Sequence, residues 1–187
     1  MSIENQINDY SKNKDIIDHW LTLKGEYRYK IIINFLKENS IECTWNNITH
    51  YIKYDKRLLI NLFKYIVFLE ELFKSFISQY KQINPNKILS YSFKKSLIEF
   101  LLLKENNKYD DMDLALLDNE KNSIIELRNS IVHNKILLNR KFNNKNLKEM
   151  INIFIKILPK SYRNGFIKDI NNCSKNLNEN LWYIKLE

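Results

Sequence analysis

Glycine, proline, cysteine and histidine are all scarce in this chain of 187 residues. With 2 glycines and 2 prolines, tight turns are few, which disfavours an all-β sandwich. The 2 cysteines, Cys43 and Cys173, form no CxxC pair, so we expect a reducing compartment and no disulfide framework. The 3 scattered histidines complete no zinc-ligand spacing with them. We therefore predict no metal site and no cofactor.

Long hydrophobic runs are also absent. Lys, Glu or Asn interrupts every apolar run well before the ~18 residues that a transmembrane helix needs. The first 15 residues are polar and do not resemble a signal peptide. The sequence therefore predicts a cytoplasmic protein without a membrane-spanning segment.

Apolar residues and positive charge are abundant. Hydrophobic residues make up 44% of the chain and aromatic residues 13%, which excludes a disordered chain and allows one domain with a substantial core over residues 1–187. The formal net charge is +8, which favours a polyanionic partner such as nucleic acid or an acidic membrane surface. The same excess of lysine, beside many Asn and Ile residues, is also typical of an AT-rich gene. Both interpretations of the charge stay open.

Helical periodicity dominates the apolar pattern. Apolar residues recur at three- and four-residue steps in several segments, which predicts an all-α antiparallel bundle. The strongest segment is 58–80, whose wide apolar face predicts a central helix. The other predicted helices cover 15–39, a short stretch after an N-cap at Thr44, and 93–103, 119–138, 147–158 and 162–177.

One polar group interrupts the helix predicted over about 119–140. Arg128, Asn129 and His133 lie between apolar residues. Because a helix turns about 100° per residue, Asn129 and His133 share a face and Arg128 stands beside it. Polar groups on a buried helix are costly unless they are paired or used. An arginine can hold a phosphate and a histidine can transfer protons, so this group predicts a site that binds and cleaves a phosphodiester.

This segment resembles the Arg-Asn-x-x-x-His signature of the HEPN superfamily, helical domains that include many ribonucleases. The likeness is greatest to Abi-like abortive-infection proteins (the AbiD/AbiF group), whose motif helix reads L-R-N-x-x-A-H-x-x-x-L-W-N-R. Val132 and Leu138 depart from that pattern. The matching residues are Leu127, Arg128, Asn129, His133, Leu137, Asn139 and Arg140.

The resemblance implies a metal-independent endoribonuclease that acts in phage defence or as a toxin. Two motif helices would face each other in a homodimer, and the ribose 2′-OH would attack the neighbouring phosphorus. Arg128 would bind the phosphate, His133 would transfer protons, and Asn129 would orient the histidine or bind RNA. We also expect RNA contacts from Asn134, Asn139 and Arg140. A structured RNA or an antitoxin would control the activity.

Several alternatives stay open at this stage. The chain could be a non-catalytic HEPN module that binds RNA or regulates a partner. Asn139 and Arg140 could cap the C-terminus of the motif helix, where a cation is favourable. Glu70 or Glu71 could pair with Arg128 across the bundle or lie on a solvated face. The segment 181–187 could be extended or could dock onto the bundle.

Overall fold

The computed structural model describes residues 2–103 and 111–187. The all-α prediction is confirmed, and the loop predicted over 104–113 lies mostly outside the described residues. Two single 3₁₀ turns, Glu4–Gln6 and Asn172–Ser174, accompany the α-helices. These helices are α1 (Tyr10–Lys24), α2 (Tyr27–Glu38), α3 (Trp45–Lys81), α4 (Pro85–Leu89), α5 (Phe93–Leu102), α6 (Leu114–Asn119), α7 (Lys121–Val132), α8 (Leu147–Ile157) and α9 (Lys160–Asn171).

The single helix predicted over 15–39 is two helices. Gly25 separates α1 from α2 with a φ of 72°, a value that side-chain-bearing residues rarely adopt. Gly25 also donates its backbone N–H to the carbonyl of Leu21, which closes the last turn of α1. The apolar period continues through the break, and this continuity made the two helices look like one.

Helix α3 is the centre of the bundle and contacts α1, α2, α4, α5, α7 and α9. The predicted N-cap is confirmed, because the Thr44 hydroxyl accepts a hydrogen bond from the backbone N–H of Asn47. The predicted break between a short helix and the segment 58–80 is wrong. Tyr54 and Asp55, which fall in that interval, are buried and belong to the inner face of one continuous helix.

The motif helix is shorter than predicted. Helix α7 ends at Val132, and His133 is its C-cap. Asn134 then adopts a left-handed φ of 51°. Two backbone hydrogen bonds close the last turn of the helix, from Asn134 N–H to Ile131 O and from Lys135 N–H to Ser130 O. This pattern is a Schellman motif, in which asparagine tolerates the left-handed position. The prediction of helix out to 138–140 is therefore wrong.

The segment from Asn178 onward docks onto the bundle without forming a helix. Tyr183 and Ile184 are buried. The hydroxyl of Tyr51 donates to the carbonyl of Trp182, and the N–H of Ile184 donates to the hydroxyl of Tyr54. The segment 181–187 therefore docks onto the bundle, which is one of the two states that the sequence allowed.

The hydrophobic core gathers buried side chains from Ile3 to Ile184 in one cluster. Helix α8 contributes an amphipathic face and begins with a capping box, in which Asn146 and Glu149 bind each other's backbone N–H groups. Within residues 2–103 and 111–187, none of the helices combines the length and the apolar character needed to cross a lipid bilayer.

Candidate functional site

Arg128 lies on the exposed edge of α7 and turns its guanidinium toward α3 and α5. Its Nη2 is 3.9 Å from Glu70 Oε2, and its Cζ lies 5.8 Å from the ring centroid of Phe93. Nη1 donates to Asn129 Oδ1 at 3.4 Å. Nε is buried and has no hydrogen-bond partner in the described parts of the chain. The guanidinium is therefore positioned by loose contacts that leave part of its hydrogen-bonding capacity unused.

Glu70 is the acidic partner that the sequence allowed for Arg128. Its other oxygen, Oε1, accepts a shorter hydrogen bond of 2.7 Å from Lys74 Nζ. Glu71, the alternative, is exposed. A contact of 3.9 Å on a partly exposed surface contributes little to stability. Glu70 therefore orients Arg128 and leaves hydrogen-bond donors of the guanidinium without a close partner.

Asn129 and His133 occupy the last turn of α7. Both are exposed, and the backbone N–H of His133 donates to the carbonyl of Asn129 at 3.0 Å. Arg128 and Asn129 touch through their side chains, and His133 lies one turn beyond them. Asn129 and His133 are therefore exposed in the last turn of α7, and Arg128 lies half-buried beside Asn129.

Asn134 turns away from this group and contacts two basic residues on other helices. Its carbonyl accepts a hydrogen bond from Arg28 Nη2 on α2, and its Oδ1 accepts one from Lys56 Nζ on α3 at 3.2 Å. Asn134 thus has a structural role at the end of α7. Arg28 and Lys56 thus bring two cations to the residue that follows His133 in the chain, and neither was predicted from the sequence.

Asp55 holds the loop that follows the motif. Its carboxylate is buried in α3 and accepts hydrogen bonds from the backbone N–H groups of Leu137 at 2.7 Å and Leu138 at 3.1 Å. Burial raises the pKa of Asp55 to about 6, although those N–H groups and the cations Arg28 and Lys56 act in the opposite direction. The sequence contained a signal for this residue, since Asp55 interrupts the apolar stripe of α3.

Asn139 and Arg140 lie beyond the helix end, so the suggestion that they cap α7 is wrong. The amide of Asn139 donates to Glu38 Oε1 at 3.4 Å. Both residues line a pocket of about 300 Å³ at the end of α2. Arg128, Asn129, His133 and Asn134 do not line it. The structure therefore separates the predicted RNA-binding residues into a helix-end group and a pocket group.

An apolar patch borders the motif residues. Ile60 on α3 is 55% exposed, Phe63 is 45% exposed, and Val132 on α7 is 43% exposed. On α3, Lys56 contacts Asn134 and Glu70 contacts Arg128, so these two residues mark the edge of α3 that meets the motif. Ile60 and Phe63 lie between them at three- and four-residue steps and therefore share that edge. We call Ile60, Phe63 and Val132 the motif-edge patch.

The other two histidines, His50 and His19, lie elsewhere on the protein. His50 accepts a hydrogen bond from the backbone N–H of Asn178 through Nδ1, and burial lowers its pKa. His19 is exposed and meets the ring of Trp20 edge-on. Among the described residues, no three or more His, Cys, Asp or Glu side chains are grouped so that they could hold a metal ion.

Comparison with protein-family models, curated proteins and solved structures finds no match to this chain.

Proposed function

We propose that this protein is an endoribonuclease of the HEPN type, whose motif residues Arg128, Asn129 and His133 cleave RNA without a metal ion. The observation that carries the proposal is that Arg128 and Asn129 touch through their side chains near the end of α7, with His133 exposed one turn further on. Buried core positions would not leave a histidine and an asparagine open to solvent. The net charge of +8 suits a polyanionic substrate.

The reaction needs one base, one acid and one phosphate clamp. A histidine takes the proton of the ribose 2′-OH while its oxygen attacks the adjacent phosphorus. A second proton is delivered to the departing 5′-oxygen, which leaves a 2′,3′-cyclic phosphate and a 5′-OH end. Arg128 holds the phosphate and stabilises the charge that develops on it. Because a 2′-OH is the nucleophile, the activity is specific to RNA.

A homodimer supplies both proton-transfer groups. One chain contributes a single His133, so the base and the acid come from two copies when the ends of their α7 helices meet. The motif-edge patch supports this arrangement, because Ile60, Phe63 and Val132 leave apolar surface exposed beside the motif. Two-fold pairing is also the commonest form of oligomer.

Defence against phage or toxicity to the host cell is the biological role that we propose, in the cytoplasm and under control of a structured RNA or an antitoxin. This part of the proposal rests on the resemblance of residues 124–159 to Abi-like proteins. Such control would keep the exposed motif from cutting cellular RNA at rest.

A second candidate is a non-catalytic RNA-binding or regulatory module of the same family. The proximity of Glu70 to Arg128 favours it, since the carboxylate opposes a phosphate at that position. Val132 and Leu138 also depart from the Abi-like pattern.

Incubation of the purified protein with total RNA, with and without excess EDTA, separates the two candidates. The proposal expects cleavage in both conditions and fragments that end in a 2′,3′-cyclic phosphate and a 5′-OH. Absence of cleavage supports the binding module. Strict dependence on Mg²⁺ with 5′-phosphate products refutes the proposed mechanism.

A further inference from the structure

The pocket that contains Asn139 and Arg140 lies where four parts of the chain meet. These are the end of α2, the loop after α7, the beginning of α8 and the docked segment around Trp182. Its volume of about 300 Å³ is at the small end of the range for ligand pockets, so it suits one compact group of a larger ligand.

Trp182 is held at this pocket while its side chain stays open to solvent. The residue is 50% exposed, although the two residues that follow it in the chain are buried. Tyr183 packs against the rings of Tyr51 and Tyr54, with centroid distances of 5.8 Å and 4.7 Å. Ile184 is buried. The fold therefore presents an anchored aromatic residue without burying it, which is how proteins present a stacking surface to a flat ligand.

The charges around the pocket favour an anion. Arg140, Lys141 and Lys148 line it, and Glu38 is the acidic residue among the lining side chains. Glu38 accepts a hydrogen bond from Asn139, which occupies one of its oxygens. Three cations thus line the same pocket as Trp182, and an aromatic residue near cations is the combination that binds bases and phosphates of single strands.

We infer that this pocket binds one nucleotide of a single-stranded RNA, with its base stacked on Trp182 and its flanking phosphates bound by Arg140 and Lys148. The choice of RNA as the ligand rests on the proposed function. The loop that follows His133 lines the pocket from Leu138 onward, so the pocket lies five residues beyond the motif along the chain. The pocket selects unpaired RNA, because a base within a duplex cannot stack on a side chain.

Binding of an uncleavable RNA tests the inference without depending on catalysis. The probe is a short single-stranded oligoribonucleotide whose 2′-OH groups are all methylated, and its binding is followed by fluorescence anisotropy. Trp182→Leu is expected to weaken binding about tenfold, because one base loses its stacking partner. Trp182→Phe keeps a ring and should retain most of the affinity. Tyr27→Leu, at an exposed aromatic residue away from the pocket, is the matched control and should bind as the wild type does.

An abasic oligomer of the same length separates stacking from charge. It should bind the wild type more weakly than the base-containing probe, and Trp182→Leu should not weaken it further. Arg140→Ala and Lys148→Ala should each lower the dependence of log affinity on log salt by about 0.7, the value for one phosphate contact on a single strand. Lys12→Ala, at an exposed lysine of α1, should leave that slope unchanged.

The inference is overturned if folded Trp182→Leu binds the methylated RNA as tightly as the wild type, or if the loss is equal for the abasic oligomer. The proposed phosphate contacts are refuted if log affinity depends on log salt equally in all three variants, Arg140→Ala, Lys148→Ala and Lys12→Ala. A wild type that binds the probe but never cleaves its unmethylated counterpart refutes the proposed function and leaves this inference standing.

Discussion

The carboxylate of Asp55 accepts a hydrogen bond of 2.7 Å from the backbone N–H of Leu137, a residue 82 positions later in the chain. Asp55 is 3% exposed, so this bond forms inside the bundle. It joins the central helix α3 to the loop between the end of the motif helix and the pocket. The position of both parts of the candidate site therefore depends on one buried acid.

The stability of the protein should depend on pH through Asp55. Its pKa in the folded state is about 6, above the ordinary value of 3.8, so the folded protein binds more protons between these values than the unfolded chain does. The contribution of Asp55 to the free energy of unfolding should fall by about 3 kcal/mol as the pH rises from about 4 to about 7, at about 1.4 kcal/mol per pKa unit. Urea titrations at several pH values measure it.

Asp55→Asn is the matched variant for this prediction, because its amide oxygen can still accept the N–H groups of Leu137 and Leu138 but does not titrate. The free energy of unfolding of the wild type relative to Asp55→Asn should decrease across that pH range. Parallel pH profiles for the two proteins would show that the ionisation of Asp55 is not coupled to folding.

Asn134 should act through its backbone conformation. Its φ of 51° strains an alanine, so Asn134→Ala should lower the free energy of unfolding by about 1 kcal/mol. Asn134→Gly tolerates this φ and should recover most of the loss. Chemical denaturation of both variants measures the difference. If instead both variants keep full stability and lose RNA affinity, Asn134 binds RNA, as the sequence suggested, and its conformational role is minor.

The motif-edge patch should be buried between two copies of the chain. Phe63→Glu places a charge in that apolar surface and should dissociate the dimer, and RNA cleavage should fall with it. Leu23→Glu changes an exposed apolar residue on α1 and should do neither. Analytical ultracentrifugation and a cleavage assay on the same samples test this. A wild type that is monomeric at the dilution at which it still cleaves RNA would contradict the dimer.

The sequence was sufficient for the helical class because the apolar periods of α3 and α8 are strong and local. It failed where single residues override the period. Gly25 breaks a helix within an unbroken apolar pattern, and Asn134 ends the motif helix by taking a left-handed φ. Between the two predicted helices at 45–52 and 58–80, by contrast, the chain continues as one helix. Each error arises from a conformation or a contact that tertiary structure decides.

The candidate site was only partly predictable for the same reason. Helical spacing predicted Asn129 and His133 one turn apart with Arg128 beside them, because the three residues lie within two turns. Asn139 and Arg140 lie apart from these residues because α7 ends at Val132, before the chain reaches them. Trp182 could not be connected with Arg140 from the sequence, since the pocket joins segments that are distant along the chain.

Cleavage of RNA by His133→Ala tests the central claim most directly. The purified wild type, Arg128→Ala, His133→Ala and the control His19→Ala are incubated with total RNA, after circular dichroism has shown equal helical content. Proton transfer by a histidine accelerates a reaction by about 10²–10⁴-fold, so His133→Ala should lose at least about 100-fold in rate. Arg128→Ala should also be strongly impaired, and His19→Ala should cleave as the wild type does. A folded His133→Ala protein that cleaves RNA at the wild-type rate would contradict the account.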